Sequence, residues 1–545
     1  MKLRRSLALL FAALLGAGAV APAAAAQRAP GALVGPVTLV PQGGEAVHVS
    51  GLHRYFGRVT ISPEYDGLLV TNRLSLERYL LGLNEVPPEW PEEALRAQAV
   101  AARTYALWTL SRPRAGAAAT YGFDICASVE CQVFSGADVV ATPDGRRWAA
   151  AVRGTKGEAV LYRGRPILAR YHSTSGGHTL DNSQAFPGEP DYPYLRGVPS
   201  ATERASPLYR WQVRFPLAHL QAMLESGGVW TRAHGRLRRV VSVPSASGLH
   251  YPDVVLTGTK RAHRTDAESL RDLVRTQAPA LYPGTYPSRW FTTSGRLPET
   301  LPANRIDVVT RRGLAIVTGR GWGHGTGMSQ WGAHGLALDG AGYEEILAHY
   351  YTGTVVGPAD PGRSISVGVA WGRSSVVATG AFDVVDGSGD VAVRDALGSW
   401  TFTPGGGGVV DVDPPQGHSL PLRVGIVRAP KSAEPGERVP ITFALSKPAR
   451  LRVEDGAPAV RRAGKGTVFW QAPAEPGSYE VTLVASAGPA EEQRRIAIEV
   501  VQEEGATASP GPAEDGSGVR AGLVRLLVGA VLIGLVLAAL GSRIK

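Results

Sequence analysis

Between residues 94 and 106 the apolar positions Leu95, Ala99, Ala102 and Ala106 recur every third or fourth residue, with Tyr105 alongside. That spacing puts them on one helical face. The helix is expected to open at Trp90-Pro91-Glu92-Glu93. There proline suits a first-turn position and two acids meet the positive end of the dipole. It is expected to stop near Ser111, ahead of Pro113. Its alanines allow another element to pack closely.

Most other patterning has period two. Residues 27–75 hold short alternating runs such as Ala46-Val47-His48-Val49 and Leu68-Leu69-Val70, which read as a small β region. From 155 to 320, β-like runs (Ala159-Val160-Leu161-Tyr162, Leu314-Ala315-Ile316-Val317) mix with short helices over 217–224 and 267–275. A Gly-rich loop at 319–327 leads to an expected helix over 328–338. A second helix over 343–351 stops before Gly353, a good C-terminal cap. Residues 364–413 read as short strands with Gly-rich turns. Residues 420–502 alternate cleanly, as in Tyr479-Glu480-Val481-Thr482-Leu483-Val484, and suggest an immunoglobulin-like sandwich without its cysteines. The Gly, Ser, Pro and acid-rich stretch 503–519 reads as a flexible linker.

Two apolar runs stand apart. Met1-Lys2-Leu3-Arg4-Arg5, an apolar stretch over 6–20 and the alanines Ala23 to Ala26 form a secretory signal peptide, with cleavage expected after Ala26. Residues 526–542 carry no charge between Arg525 and Arg543. At about 1.5 Å rise per residue this run suffices for a short membrane span, with the basic tail on the cytoplasmic side. The expected product is exported and anchored to the cytoplasmic membrane by a C-terminal transmembrane helix.

The 545 residues allow two to four domains, and 44% hydrophobic with 19% charged residues is a globular balance. The formal net charge of +10 points to an anionic partner, either a membrane surface or a wall polymer. Zinc-finger spacing and basic blocks interleaved with aromatics are both missing, so no nucleic-acid partner is expected. The chain has only two cysteines, Cys126 and Cys131, and in an exported protein their closeness suggests a disulfide. The competing metal site would need two more ligands, for which Asp124 and Glu130 are the candidates.

Three constellations carry candidate chemistry. In Asn84-Glu85-Val86-Pro87-Pro88-Glu89-Trp90, a carboxylate sits on a stiff loop leading into a helix, a place suited to acid/base work. Tyr171-His172-Ser173-Thr174-Ser175-Gly176-Gly177-His178 offers hydroxyls and imidazoles for a Ser/His hydrolase or for sugar binding, without a G-x-S-x-G elbow. Gly321-Trp322-Gly323-His324-Gly325-Thr326-Gly327-Met328-Ser329-Gln330 has neither a P-loop ending nor a demonstrable dinucleotide setting. The histidines 172, 178, 324 and 334 could be gathered for zinc, yet H-E-x-x-H is missing, and neither metal nor cofactor is expected.

These motifs, with the run from Leu74 through Glu85 to Ala106 and with Pro193-Tyr194-Leu195, resemble the SpoIID/LytB family in the family's order, over roughly residues 40–355. The resemblance implies a peptidoglycan lytic transglycosylase that cuts MurNAc–GlcNAc bonds of peptide-stripped strands to 1,6-anhydro-MurNAc products, with Glu85 as acid and base. It implies substrate-binding or supporting roles for Arg96, Arg103, His172, Ser173, Ser175, Tyr194, Arg196, His324, Gln330 and Tyr350. Arg96 and Arg196 replace the lysines usual in the family, which keeps the charge and changes the donor geometry. Some members bind zinc through a histidine just before the second cysteine. Glu130 stands there in this chain, which strengthens the disulfide reading.

The expected fold class is α+β. A signal peptide (1–26) and a SpoIID-like catalytic region (27–355) precede a small β module (356–415) and an Ig-like sandwich (416–502). A linker (503–520) and a transmembrane helix (521–542) follow. The expected partners are glycan strands and the membrane, with a cell-wall amidase implied by LytB-type relatives. Two alternatives come from other classes: a glycan-binding amidase enhancer without catalysis, and a hydrolase, either a muramidase or a Ser/His enzyme using Ser173 or Ser175.

Overall fold

The computed structural model describes residues 31–286 and 299–502. The expected signal peptide, linker and transmembrane helix lie outside the described residues. Among those described, no helix is long and apolar enough to cross a membrane. The fold is α+β.

Its largest element is an eleven-stranded sheet. From one edge the strands run Gly31–Val34, Val409–Asp413, Val391–Gly406, Val376–Val385, Val37–Pro41, Arg58–Glu64, Gly67–Ser75, Ser364–Arg373 and Ile125–Cys126. Two further short strands extend it: Val47–Val49 pairs with Val376–Val385, and Arg54–Tyr55 pairs with Val47–Val49. The separate β module expected at 356–415 is therefore corrected. Val409–Asp413 pairs with Gly31–Val34, Val376–Val385 with Val37–Pro41, and Ser364–Arg373 with Gly67–Ser75, all antiparallel. Alternation revealed the strands, but a period of two says nothing about partners hundreds of residues away. Side chains from both ends of the chain, including Val59, Ile61, Phe402 and Val412, share one core. Each buried aliphatic side chain there contributes roughly 1.5–3 kcal/mol.

Helix Glu92–Leu110 packs between two cores. It begins and ends where the pattern indicated, but both of its faces are buried. Leu95, Ala99, Ala102 and Ala106 face the large-sheet core. Ala97, Val100 and Ala101 enter a second core with Ile346, Leu347 and Tyr350. The small alanines make this two-sided packing sterically possible.

Residues from about 208 to 318 form a unit with a core of its own, which the sequence did not separate from its surroundings. Two three-stranded sheets and the helices Leu217–Ser226 and Ala267–Leu281 build it. Its first sheet joins Trp211–Pro216, Leu314–Gly319 and Ile306–Arg311. The chain thus departs into this unit after the 171–178 loop and returns from it at the Gly-rich loop.

Residues 424–500 form two facing sheets of three and five strands around Ile441, Phe443, Trp470 and Leu483. Arg423, which pairs with Glu492 at 2.9 Å and reaches the Val391 carbonyl at 2.9 Å, ties this sandwich to the large sheet, as does an Arg494–Asp390 ion pair.

Candidate active site

Glu85 lies between the end of helix Leu76–Leu81 and the start of Glu92–Leu110. Leu83 bridges Phe134, and the Asn84 amide donates to the Val133 carbonyl at 2.9 Å. Gln330 reaches the Glu85 carbonyl with Nε2 at 3.3 Å. Beyond it, Pro87 and Pro88 stiffen the chain, and Trp90 is buried against Trp331 with ring centres 5.0 Å apart. The backbone of Glu85 is therefore fixed from both sides.

Its carboxylate is held at one oxygen. Oε1 accepts from the Val133 amide at 2.8 Å and from the Tyr171 hydroxyl at 2.9 Å. Oε2 has no partner among the described residues. The residue keeps some solvent contact, yet protein crowds its carboxyl. That desolvation pushes its pKa up to about 7, against the opposing pull of the Val133 and Tyr171 hydrogen bonds. Burial together with the Glu85 charge holds the Tyr171 phenol well above its ordinary value, so it stays a donor.

The strand Ile125–Cys126 and the disulfide Cys126–Cys131, with Cα atoms 5.5 Å apart, anchor the segment that presents Val133. Gln132 follows directly and is fully buried. It accepts from Tyr79 and donates to the Tyr171 oxygen, both at 2.9 Å.

The second and third motifs meet one another. Tyr171–His172 pairs in parallel with Met328–Ser329, and Thr174 bridges Trp322. Gly332 lies where any side chain would collide with the Tyr350 hydroxyl and Ser200 Oγ. His172 and His324 lie with ring centres 5.4 Å apart. His172 Nδ1 faces the Thr326 carbonyl at 3.1 Å, while His324 Nδ1 faces the Thr326 amide at 3.2 Å. Burial, with Arg305 nearby, lowers His172 to about 3. Burial and the neighbouring His172 also push His324 well down, so both rings are neutral near pH 7.

The resemblance-derived residues divide into two groups. Glu85 and Gln330 come together, with Gln330 also 3.3 Å from Gln98 Oε1. Tyr194 stacks on Tyr192 at 5.4 Å, and Arg196 is exposed, bonded to Asp181 at 3.1 Å and Asp191 at 3.4 Å. Arg96 pairs with Glu92 and Glu93.

Others are bound up in the interior. Arg103 is fully buried in a two-pronged pair with Glu77, at 2.8 and 2.9 Å. Tyr350 is buried against Ser200 at 2.8 Å. Ser175 is buried, and its hydroxyl donates to Glu203 at 2.7 Å. The Ser173 hydroxyl has its neighbour in Thr174 at 3.4 Å. Among the described residues neither serine is hydrogen-bonded to an imidazole.

Residues 64–162 match the family described as Stage II sporulation protein, SpoIID. Over 303 residues the chain is 32% identical to an uncharacterised protein of Brachyspira hyodysenteriae, spanning 55% of this chain and 71% of that one. The chain belongs to the SpoIID family. Stage II sporulation protein D of Bacillus amyloliquefaciens is 29% identical over 299 residues, covering 53% of this chain and 75% of its own. An amidase enhancer of Bacillus subtilis is 26% identical over 300 residues, which is 50% of this chain and 39% of that protein.

In this SpoIID-family site, sequence reasoning missed Gln132, Tyr79, the Val133 amide and Glu203, and it assigned no role to the Tyr171 hydroxyl. Tyr171 borders the His172 motif and Gln132 follows Cys131, but no spacing rule points from either to Glu85. Glu203 lies in a stretch without a motif.

Proposed function

We propose that the protein is a lytic transglycosylase that cleaves MurNAc–GlcNAc bonds of peptide-poor glycan strands, with Glu85 as both acid and base. The observation that carries this reading is the state of the Glu85 carboxyl. Its pKa is raised to about 7, one oxygen is fixed by two donors, and the other is unoccupied. Such a group holds a proton near neutral pH on Oε2, where it can reach a ligand.

The reaction follows from that proton. Glu85 gives it to the glycosidic oxygen as the bond to MurNAc C1 breaks, and the oxygen leaves with GlcNAc as a hydroxyl. The resulting carboxylate takes the proton of the MurNAc C6 hydroxyl, whose oxygen bonds to C1. The 1,6-anhydro ring closes, no water is consumed, and Glu85 is reprotonated for the next cycle.

A hydrolytic glycosidase needs a second working carboxylate. Glu92 and Glu93 are tied to Arg96, and Asp181 to Arg196 and the Gly197 amide. The exposed Glu89 is left as the one candidate for a second carboxylate, and the mass of the products separates the two routes. The apolar run over 6–20 behind a basic start, and the uncharged run over 526–542, support a setting at the outer face of the cytoplasmic membrane.

The test incubates the full chain, wild type or Glu85→Gln, with peptide-free glycan and weighs the products. Anhydro-MurNAc ends from wild type alone support the proposal. Reducing MurNAc ends, heavier by one water, indicate a muramidase. Bound glycan with no products from either protein points to a non-catalytic role, a reading favoured by the similarity to an amidase enhancer.

A further inference from the structure

The inserted unit carries three arginines at one end of its first sheet. Trp211, Gly319 and Ile306 lie in register across the three strands. Arg210, Arg320 and Arg305 each stand one residue beyond them. Topology therefore gathers three guanidinium groups that are distant in sequence. They line a cavity of about 500 Å³ together with His250, Tyr251 and Asp307. That volume is within the range of roughly 300–1,000 Å³ typical of small-ligand sites.

None of the three arginines forms an ion pair among the described residues. Arg305 uses Nη1 on the His178 carbonyl at 3.1 Å, while its Nη2 is buried with no partner. Burial, and after it the Arg320 charge, lowers the Arg305 pKa to about 10. His250, lowered to about 4 by burial and then by Arg305, is neutral at pH 7. Arg210 and Arg320 are exposed at this cavity, whose only lining carboxylate is that of Asp307, and the Arg305 charge lies behind them, so an anion placed between the two exposed guanidinium groups meets matched donors. Leu249, Tyr251 and Pro244 add apolar wall, which a bare phosphate would leave unused and a sugar ring would cover.

We propose that this cavity is a second saccharide subsite for a carboxylate-bearing sugar, its carboxylate held by Arg210 and Arg320 with the Arg305 charge behind them, and its ring lying against Leu249 and Tyr251. The identity of the sugar rests on the transglycosylase reading. Peptide-free MurNAc carries a free lactyl carboxylate, whereas GlcNAc has none.

The experiment uses the full chain with Glu85→Gln, so that ligands are not cut, and measures binding calorimetrically. The ligands are a peptide-free MurNAc–GlcNAc tetrasaccharide, a GlcNAc tetrasaccharide and inorganic phosphate. The expected result is about tenfold tighter binding of the acidic tetrasaccharide than of the neutral one. Arg210→Glu and Arg320→Glu, both at exposed positions, abolish that preference without lowering the melting temperature. Equal affinities, a preference that survives both substitutions, or phosphate that binds as tightly as the acidic sugar would each overturn the proposal. The catalytic reading fails separately. If wild type releases no anhydro ends while the arginine-dependent preference stands, the subsite remains and the transglycosylase does not.

Discussion

Tyr171 donates its hydroxyl proton to Oε1 of Glu85 over 2.9 Å, and the direction of that bond is fixed from behind. Gln132 Nε2 donates to the Tyr171 oxygen, while Gln132 Oε1 is occupied by Tyr79. Tyr171 therefore favours the ionised carboxylate and aims it. In the proposed mechanism Glu85 starts protonated, so kcat/KM is expected to fall as pH rises through about 7. Tyr171→Phe removes a donor to the charged form, which raises the Glu85 pKa further. The alkaline limb should move up by about one pH unit, together with a lower kcat. A pH profile of the variant checks this. A limb that stays in place while kcat falls would leave Tyr171 without the electrostatic part of its role.

Glu85 also bears on stability. Its carboxyl titrates near 7 in the folded protein against an ordinary value of 4.5. A raised folded pKa means that the folded state binds the proton more tightly. The associated stability is fully present below 4.5 and is lost as pH climbs to about 7. Glu85→Gln does not titrate and escapes that loss. The variant should match wild type in melting temperature near pH 4 and exceed it at pH 8, with the gap opening between those two pKa values. Melting curves at four or five pH values decide it, and a constant gap across the range would count against the raised pKa.

The disulfide works on the same carboxylate at one remove. Cys126 belongs to a strand of the large sheet, and Cys131 immediately precedes Gln132 and Val133. Closing so short a loop contributes about 2 kcal/mol by the chain-entropy model. Cys126→Ser with Cys131→Ser should therefore lower unfolding free energy by about that amount. It should reduce kcat more than it raises KM, since the freed segment carries the Val133 amide away from Oε1. Full kcat in the double variant would show that the loop holds its shape without the bond.

The central helix, the three motif loops and the sandwich strands were legible in the sequence because local periodicity and glycine punctuation encode them. Glu85 was legible through the Pro87-Pro88 loop and the family motif. Three things were not. The pairing of 364–413 with the N-terminal strands depends on contacts across the whole chain. The separate core at 208–318 depends on which apolar faces meet. The roles of Arg103, Tyr350 and Ser175 depend on burial. The motif marks all three residues equally with the exposed Arg196, yet the fold encloses them and leaves Arg196 outside. A motif thus records that a residue is needed, and packing decides whether it serves the ligand or the loops.

Glu203 gives the clearest test of that distinction. It is fully buried and accepts from the Ser175 amide and hydroxyl, the Gly177 amide, Ser200 and Ser329. Hydroxyls can rotate to suit an amide, but backbone N–H groups cannot. The Ser175 amide points at Oε2 and the Gly177 amide at Oε1. Whichever way a glutamine is turned at this position, its NH2 opposes a backbone N–H. Glu203→Gln should therefore cost about 2–4 kcal/mol, well beyond an ordinary neutral substitution. Ser175→Ala, which removes a single donor and leaves the carboxylate otherwise satisfied, should cost about 1 kcal/mol. Urea unfolding of the two variants measures both. A Glu203→Gln protein within about 0.5 kcal/mol of wild type would mean that water or a proton relieves the site, and the 171–178 loop would then owe its shape to something other than this carboxylate.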